Sequence, residues 1–324
     1  MTVKDSLISL LEENRGSYVS GAVAAQQLGC SRGAVWKAVK ALEAEGYNIS
    51  AVTNKGYRLE ENSDVISQAG IERYLSDDCT ARLKVYSKVE STNTLIRTLA
   101  NEGAQEGVTA VSGEQTKGRG RLGRSFYSPS DTGLYLSILL RPEMSAADAV
   151  KITTAAAVAV AESVEEVSGE STDIKWVNDV YMNDRKICGI LTEAQFSIEN
   201  GGLEYAVVGI GINVYEPKGG FPNEIKDIAG AALKAPAAHA RNRIAAGVIS
   251  RFMRYYRELD KDTFLEGYRK RLMWKNERIN IITPVSTTPA LMLDVDGSCR
   301  LRVRLEDSSE KLISSGEISI RKEK

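Results

Sequence analysis

Residues Glu114 to Ser125 read E-Q-T-K-G-R-G-R-L-G-R-S, and this short stretch constrains the fold around it more than any other. It alternates four cations with three glycines, namely Lys117, Arg119, Arg121 and Arg124 with Gly118, Gly120 and Gly123. Neighbouring cations repel each other in a core, and each glycine inside a helix costs about 1 kcal/mol relative to alanine. Glycine lets backbone N–H groups approach a ligand, and arginine binds carboxylate or phosphate through paired hydrogen bonds. We therefore predict a loop that wraps an anion and becomes ordered by it, with a solvated basic loop as the alternative.

The same stretch matches the dinucleotide-binding pattern G-x-G-x-x-G between Gly118 and Gly123. In dinucleotide-binding folds this pattern opens a helix, whereas here it leads into turn-rich residues 126–133 and then into the strand-like Leu134–Leu140. The P-loop pattern is also absent, because the dipeptide Gly-Lys does not occur in the chain. We therefore reject both nucleotide-binding patterns.

The composition excludes several classes of protein. A length of 324 residues predicts two or three domains, and a net charge of −1 gives no overall attraction to nucleic acid or membranes. Because the sequence lacks a secretory segment and an apolar run of bilayer length, we expect a cytoplasmic protein without membrane contacts. Four widely spaced cysteines indicate reduced thiols. The single histidine, His239, excludes multi-histidine zinc sites and argues against a Ser-His-Asp triad, so we expect no metal ligands and place His239 at a helix cap or on the surface.

Residues 1–62 are predicted to form a winged helix-turn-helix DNA-binding domain, followed by a polar linker at 60–64. One helix precedes two helices capped by Ser20 and Ser31, and the alternating residues 47–59 form a strand–turn–strand wing. The expected DNA contacts are Ser31, Arg32, Trp36, Lys37, Lys40, Lys55 and Arg58. Seven Lys/Arg against six Asp/Glu in residues 1–60 leave a net charge of only +1, so we expect a dimer that reads two half-sites. A protein-interaction module of the same fold is the alternative.

The rest of the chain is predicted to form two further domains. Residues 65–273 alternate strands and helices, which predicts an α+β domain with a mixed sheet and helices on one side. Within it, Ser91 is expected to cap a helix over Thr92–Asn101, and residues 145–167 are expected to form one long helix. Residues 276–324 contain about five short β-rich runs, which predict a small barrel.

Six motifs in a single order resemble those of the bifunctional biotin protein ligase and biotin-operon repressor family, and the resemblance extends from Val19 nearly to the C-terminus. The motifs are S-T-N at 91–93, Gln115 with G-R-G-R-L-G-R at 118–124, K-W-V-N-D at 175–179, R-K-I-C-G-I-L at 185–191, G-I-G-I-N at 209–213 and G-E-I-S-I-R at 316–321. The resemblance implies a class II synthetase-like central domain and an SH3-like C-terminal barrel. Composition and spacing alone do not point to biotin.

The resemblance also implies a two-step reaction. The carboxylate of biotin attacks the α-phosphate of ATP to give biotinyl-5'-AMP and pyrophosphate. A lysine of a biotin carboxyl carrier protein, such as that of acetyl-CoA carboxylase, then attacks the acyl-adenylate. Mg²⁺ is expected to be carried mainly on phosphate oxygens. As a hypothesis, the adenylate-filled protein forms a homodimer that binds biotin operator DNA and represses biotin genes.

The resemblance assigns roles to individual residues, and Lys175, Arg119 and Arg121 are the expected catalytic residues. The expected biotin-binding residues are Ser91, Thr92, Asn93, Gln115, Gly118, Arg119, Gly120, Arg121, Lys175 and Gly189. The expected nucleotide-binding residues are Arg119, Arg121, Arg124, Phe126, Lys175, Asn178, Asn213, Phe221 and Arg321. Alternative interpretations are Ser91 as a plain helix cap, Lys175 as a surface lysine and Arg321 as an ordinary tail charge.

Two positions depart from the family pattern, and other functions stay open. Val177 stands where the family commonly has proline, and Phe126 stands where some members have tryptophan. No general base for the acceptor lysine is identified, with Asp179 as a candidate. The other functions are a ligand-sensing DNA-binding regulator without ligase activity, a lipoate–protein ligase, and a ligase that has lost DNA binding. Lipoate–protein ligases carry a histidine-containing motif, whereas His239 lies far from the basic loop in this sequence.

Overall fold

The computed structural model describes residues 2–196, 202–283, 285–314 and 319–322, and the chain separates into two compact units. One unit comprises Met1–Leu75 with Ala235–Ala246, and the other comprises Ser76–Lys234 with Gly247–Lys324. The predicted boundaries of three sequence domains stay predictions.

The first unit has the predicted winged helix-turn-helix architecture. Its elements are α1 (Val3–Glu13), α2 (Gly21–Gln27), α3 (Arg32–Ala44), β1 (Ile49–Val52), β2 (Gly56–Leu59) and α4 (Gln68–Glu72). The hydroxyls of Ser20 and Ser31 accept the N–H groups of Val23 and Ala34 at 3.1 and 3.2 Å, which satisfies free donors at the starts of α2 and α3. The helices and the antiparallel β1–β2 wing enclose one apolar core. The short α4 was not expected from the sequence.

Within residues 60–64, predicted as a polar linker, Ser63 and Asp64 are buried in the first unit, whereas Glu61 and Asn62 are exposed. Asp64 is 8% exposed, and its carboxylate accepts the backbone N–H and the Nε–H of Arg241 at 3.0 and 3.1 Å. Arg15 donates to the carbonyls of Glu60 and Ser63 at 3.0 and 2.8 Å. Backbone carbonyls that leave water need such partners. The end of this stretch is therefore held by cations that lie far away in the sequence, which its composition does not show; its role as a linker stays a prediction.

His239 is buried, at 8% exposed, rather than lying on the surface. It directly precedes a helix and has a φ of +55°. Burial, together with the charges of Arg15, Arg73 and Arg243, lowers the pKa of His239 to about 4. Its ring packs edge-on against Tyr74, with 5.5 Å between ring centroids. We conclude that His239 is a neutral packing residue near pH 7.

The second unit contains a seven-stranded mixed sheet with the strand order β3-β4-β5-β9-β8-β7-β6. The strands are β3 (Arg82–Tyr86), β4 (Val108–Ser112), β5 (Gly133–Leu140), β6 (Asp173–Lys175), β7 (Asp179–Met182), β8 (Arg185–Phe196) and β9 (Leu203–Asn213). β3 and β4 pair in parallel, and the other neighbours pair antiparallel. In the long β8–β9 pair, Gly189 lies directly opposite Gly211. Between β6 and β7, the Trp176–Val177 peptide bond is cis.

The helices of this unit are α5 (Thr92–Asn101), α6 (Val150–Ser168), α8 (Leu265–Lys270) and the greater part of α7 (Ala240–Arg257), which begins in the first unit. α5 packs on β4, β5 and β9, and α6 packs on β6 to β9. The structure agrees with the predicted α5. The predicted long helix from residue 145 instead begins at Val150, after a short 3₁₀ turn. Among the helices described, none is long and apolar enough to cross a bilayer.

The C-terminal part of the second unit is an antiparallel sheet with the order β13-β12-β11-β10-β14. Its strands are β10 (Arg278–Ile282), β11 (Thr287–Val295), β12 (Leu301–Arg304), β13 (Glu310–Ile313) and β14 (Ser319–Lys322). The mixed α+β class and the five C-terminal strands are thus confirmed. Residues 316–318 of the terminal motif lie outside the described residues. The sheet is attached to the centre of the unit, because the indole N–H of Trp176 donates to the Cys299 carbonyl at 3.0 Å.

Candidate functional site

A cavity of about 170 Å³ lies over the middle of β8 and β9, beside the start of α5 and the basic loop. The predicted site residues that line it are Ser91, Thr92, Asn93, Gln115, Arg119, Gly120, Arg121, Arg124, Phe126, Asn178 and Gly189. Residues 209–211 of the G-I-G-I-N motif also line it. Motifs that lie far apart in sequence therefore meet at one place.

One end of the cavity presents the hydrogen-bonding side chains of Ser91, Thr92 and Gln115. The Ser91 hydroxyl accepts the N–H of Thr94 at 3.4 Å, so Ser91 caps α5 and also lines the cavity. The Oε1 atom of Gln115 accepts the backbone N–H and the hydroxyl of Thr92 at 2.9 and 3.1 Å. The Gln115 amide nitrogen donates to Ser128 Oγ at 3.1 Å, which fixes the orientation of the amide. This end can offer both donors and acceptors to a ligand.

Asn93 is fixed behind this polar end by residues that the sequence analysis missed. Its Oδ1 lies 2.6 Å from the Ser137 hydroxyl, and its Nδ2 donates to the Glu193 carboxylate at 2.9 Å. A Cβ added at Gly209 would lie 1.9 Å from Asn93 Oδ1, so this close approach requires glycine at 209. A serine within the hydrophobic run Leu134–Leu140 was the one available indication of Ser137.

The floor of the cavity is formed by the facing glycines Gly189 and Gly211. Cβ atoms added at these positions would lie 3.2 and 2.5 Å from ring carbons of Phe126. The Phe126 ring therefore occupies the shallow space above the two glycines, and it meets Tyr135 edge-on at 6.4 Å. Phe126, expected to bind the nucleotide, therefore lies against Gly189, which was expected to bind biotin.

The basic loop is a closed hairpin with its own backbone hydrogen bonds. The Phe126 N–H donates to the Gly118 carbonyl at 2.9 Å, and the Gly120 N–H donates to the Arg124 carbonyl at 2.7 Å. A Cβ at Gly118 would lie 2.4 Å from the Phe126 carbonyl oxygen, so the crossing of the two loop segments requires glycine. At the tip, Leu122 has a φ of +56° and is 60% exposed. The ordering of this loop by a ligand stays a prediction.

The arginines of the loop have different partners. Arg119 pairs with Glu193 at 2.9 Å. Arg121 donates to Asn178 Oδ1 at 2.9 Å, and burial lowers the pKa of Arg121. For Arg124, the described residues contain no carboxylate at ion-pair distance, although its side chain lines the cavity. The cationic end therefore includes one arginine with a carboxylate partner, one held by an amide and one that faces the cavity.

Lys175 lies at the end of β6, beside the residues that line the cavity. Burial lowers the pKa of Lys175; the Asp179 carboxylate opposes this shift, and the charges of Lys186, Arg321 and Arg124 reinforce it. Asp179 forms its ion pair with Lys186 at 2.7 Å. Lys175 is therefore half-buried within a group of cations. Lys186, which lines the cavity, was missed although it belongs to the quoted R-K-I-C-G-I-L motif.

The remaining predicted residues lie outside the cavity lining. Asn213 ends β9, and its Nδ2 donates to the Gly230 carbonyl at 3.1 Å. Phe221 is half-buried in the loop after β9, and Arg321 is exposed on β14. The predicted residues that do not line the cavity are Gly118, Lys175, Asn213, Phe221 and Arg321.

Several of the predicted DNA contacts have partners within the first unit. Ser31 is the cap of α3. Lys40 pairs with Glu43 at 2.6 Å, and Arg58 pairs with Glu60 at 2.7 Å. The Lys40–Glu43 pair is largely exposed and therefore weak, so a phosphate can replace its carboxylate at little cost. The Arg58–Glu60 pair is half-buried and has two hydrogen bonds, so Arg58 is held more firmly.

The exposed face of α3 has fewer partners. Trp36 is 53% exposed, and Arg32 and Lys37 are exposed beside it, without an ion pair among the residues described. On the wing, the Arg58 guanidinium lies 4.8 Å and Lys55 Nζ lies 5.8 Å from the ring centroid of Tyr18. α3 therefore presents an aromatic side chain between two available cations.

In the part of the chain that is described, no group of three or more His, Cys, Asp or Glu side chains is arranged to hold a metal ion.

Comparisons with known proteins agree with both parts of this description. Residues 85–213 match the model of the Biotin/lipoate A/B protein ligase family, and residues 4–58 match an HTH domain. The chain is 37% identical over 284 residues to the bifunctional ligase/repressor BirA of Bacillus subtilis, covering 87% of this chain and 86% of the relative. It is 30% identical over 312 residues to BirA of Salmonella typhimurium, covering 91% of this chain and 94% of the relative. The biotin protein ligase from Aquifex aeolicus, solved in complex with biotin and ATP, is 26% identical with a TM-score of 0.63, covering 75% of this chain and 99% of that chain.

Proposed function

We propose, because this chain belongs to the bifunctional biotin ligase/repressor family, that it activates biotin with ATP and transfers it to a lysine of a carrier protein. In the first step a biotin carboxylate oxygen bonds to the α-phosphorus of ATP, and pyrophosphate leaves. In the second step the lysine nitrogen bonds to the acyl carbon and loses a proton, and AMP leaves. The observation that carries this proposal is that one cavity has a hydrogen-bonding end and a cationic end.

The hydrogen-bonding end is suited to the ureido ring of biotin. That ring needs donors and acceptors together, and Ser91, Thr92 and Gln115 supply both. The glycine floor at 189 and 211 can accept the planar ureido ring once the Phe126 ring moves aside. Asn93 shapes the wall of this end through its buried contacts, and the loop glycines Gly118 and Gly120 let the backbone close around the ligand.

The cationic end is suited to two anions that repel each other. Two unit charges 4 Å apart interact by about 4 kcal/mol at an effective dielectric constant of 20. Arg119, Arg121 and Lys175 offset this repulsion between carboxylate and α-phosphate, and they become more effective as water is excluded. Arg119 has to exchange its partner Glu193 for the ligand.

The nucleotide extends from the cationic end. In this proposal Arg124 and Arg321 bind its phosphates, Asn178 and Asn213 bind its polar groups, and Phe221 packs on adenine. Mg²⁺ is carried mainly through the phosphate oxygens, since it keeps most of its ligands as phosphate and water.

The second step requires a neutral amine on the carrier lysine. A free lysine has a pKa of about 10.4, so the amine is mostly protonated near pH 7. Asp179 was the candidate base, and its pairing with Lys186 at 2.7 Å would be broken if it took up a proton. We therefore assign Asp179 the role of holding Lys186. The carrier in this proposal is the biotin carboxyl carrier protein of acetyl-CoA carboxylase or of another carboxylase.

Biotin-dependent exchange of labelled pyrophosphate into ATP tests the first step. Arg119→Gln and Lys175→Met are expected to lose most of the exchange. Lys117→Gln is the matched control, because Lys117 is a loop cation that pairs with Glu90 at 2.9 Å and does not line the cavity. Exchange that depends on lipoate instead of biotin would favour a lipoate ligase. Biotin binding without exchange would favour a regulator that lacks ligase activity.

The same proposal assigns repression to the winged helix. The biotinyl-adenylate-bound protein forms a homodimer, and two copies of α3 read the half-sites of biotin operator DNA, with Trp36 on base edges and Arg32 and Lys37 on phosphates. Sedimentation with and without biotin plus ATP tests the dimer. Binding to DNA from upstream of biotin genes, measured with and without the adenylate, tests repression. An unchanged mass together with no adenylate-dependent binding would leave a ligase that has lost DNA binding.

A further inference from the structure

The chain segment before the C-terminal sheet runs beside β6 and places a tryptophan next to Lys175. The Ile174 N–H donates to the Arg271 carbonyl at 2.6 Å, and the Met273 N–H donates to the Ile174 carbonyl at 2.9 Å. These two hydrogen bonds pair Ile174 in parallel with Leu272. The pairing holds the segment that ends at Trp274 alongside the end of β6, where the Trp274 ring contacts the Lys175 ammonium group.

Two aromatic rings lie near the ammonium group of Lys175. Its Nζ is 5.3 Å from the ring centroid of Trp274 and 5.9 Å from that of Tyr181. Burial raises the pKa of Tyr181 to about 12, so this ring stays uncharged at working pH. Within the described residues, no carboxylate lies at ion-pair distance from Lys175. The Asp179 carboxylate, which acts on Lys175 from a greater distance, forms its ion pair with Lys186.

The backbone at Trp274 is held in an uncommon conformation. Its φ is +65°, which is unfavourable for a residue with a Cβ. The flanking backbone is fixed on both sides, since the Asn276 N–H donates to the Met292 carbonyl of β11 at 2.8 Å and Met273 pairs with Ile174. The surroundings therefore maintain a conformation that turns this residue toward the end of β6.

We propose that Trp274 is a positioning residue for Lys175. The indole face attracts the ammonium group and holds it without a carboxylate partner, so the full charge is available to the carboxylate and α-phosphate. The contact between Trp274 and Lys175 is observed directly. Its effect on catalysis rests on the proposed ligase function. Trp274 lies outside every motif of the sequence analysis, and it links Lys175 to the segment that enters the C-terminal sheet.

The first experiment is a double-mutant cycle on the full chain, measured by biotin-dependent pyrophosphate exchange. Trp274→Leu is expected to slow exchange about 10-fold, and Trp274→Phe, which keeps an aromatic face, is expected to slow it about 3-fold. In the Lys175→Met background, Trp274→Leu is expected to change the residual rate by less than about 2-fold, because coupled residues lose their effects together. Trp176→Phe is the matched control, since it weakens the attachment of the C-terminal sheet without facing Lys175, and its effect should multiply with that of Lys175→Met.

The second experiment does not depend on ligase activity. The full chain is acetylated with acetic anhydride at pH 8, and the labelling rate of each lysine is measured by mass spectrometry of its peptides. Lys175 is expected to react several-fold faster in Trp274→Leu than in the wild type, with Lys186 as an unchanged internal reference.

Different outcomes separate the contact from the function. Unchanged labelling of Lys175 in Trp274→Leu overturns the contact, whatever the ligase assay gives. Faster labelling with multiplicative losses in the cycle overturns the positioning role and leaves a structural one. Faster labelling in a wild-type protein that shows no biotin-dependent exchange overturns the proposed ligase function while the contact stands.

Discussion

Replacing Gly211 by alanine tests the glycine floor of the cavity directly. The added Cβ would lie 2.5 Å from Cε1 and 2.8 Å from Cζ of Phe126. Ordinary contacts of a Cβ begin near 3.4 Å, so the ring has to move by roughly 1 Å or leave the floor. Gly189 lies directly opposite, and its added Cβ would approach the same ring only to 3.2 Å. The two positions therefore form a matched pair that differs mainly in the severity of one contact.

The expected magnitude follows from this geometry. Inserting a methyl group against a packed ring costs about 1–3 kcal/mol. Where the contact distance is too short by only a few tenths of an ångström, as for a Cβ at Gly189, the cost is less than about 1 kcal/mol. In a unit of this size, 1 kcal/mol lowers Tm by roughly 2–4 °C. We expect Gly211→Ala to lower Tm by about 2–12 °C and Gly189→Ala to lower it by less than about 4 °C, as measured by differential scanning calorimetry. Stabilisation by added biotin should also fall more in Gly211→Ala, because the methyl group stands where the ureido ring is proposed to bind.

Removal of the ring tests the source of this cost. The three atoms nearest to the added Cβ all belong to the Phe126 ring. In a Phe126→Ala background these contacts are removed, so Gly211→Ala should cost much less relative to Phe126→Ala alone. A loss of Tm that keeps its full size in this background would refute the reasoning, because it would place the clash in the strand pair and not at the Phe126 ring.

Three further predictions concern charge. Changing Arg119 and Arg121 together to glutamine should slow biotinyl-adenylate formation at least about 10²-fold, because preorganised donors that stabilise the developing charge are lost. A rate equal to that of Lys117→Gln would contradict this prediction. Asp64→Ala removes the carboxylate partner of the buried Arg241 guanidinium, and it should lower the free energy of unfolding of the first unit by about 3–5 kcal/mol in urea titrations. The control Glu43→Ala removes the partner of the exposed Lys40 and should cost less than about 1 kcal/mol. The pKa of His239 is lowered from 6.5 to about 4, so the unfolded chain binds the proton first and stability should fall as pH drops from 6.5 toward 4. His239→Gln should flatten this part of the pH dependence, and an unchanged slope would contradict the assignment.

Local patterns in the sequence predicted those elements whose causes are local. Ser20, Ser31 and Ser91 each cap the helix that follows, because a hydroxyl at that position satisfies a free N–H regardless of tertiary contacts. The apolar run Leu134–Leu140, predicted as a strand, likewise forms β5. The burial of Ser63 and Asp64 was not predicted, since it depends on Arg15 and Arg241, which lie far away in the sequence.

The parts of the candidate site that belong to sequence motifs were predicted. The single residues that hold those parts in place were not. The basic loop and the S-T-N motif stood out by composition and resemblance. Ser137, Glu193 and Trp274 stand outside the quoted motifs, and each acts through a neighbour: Asn93, Arg119 and Lys175 respectively. Such supporting residues are selected by three-dimensional proximity, which neither spacing nor hydrophobic period encodes.

Glu193 connects the two ends of the cavity. One carboxylate accepts the Asn93 amide at 2.9 Å behind the polar end and pairs with Arg119 at 2.9 Å in the cationic loop. When an anionic ligand draws Arg119 away, Glu193 loses a cation but keeps the Asn93 amide, so the wall of the polar end is retained. The half-exposed ion pair contributes at most about 1 kcal/mol, which is small beside a bidentate contact with a ligand carboxylate in a drier cavity. Glu193 therefore holds Arg119 beside the cavity with a contact weak enough for a ligand anion to replace.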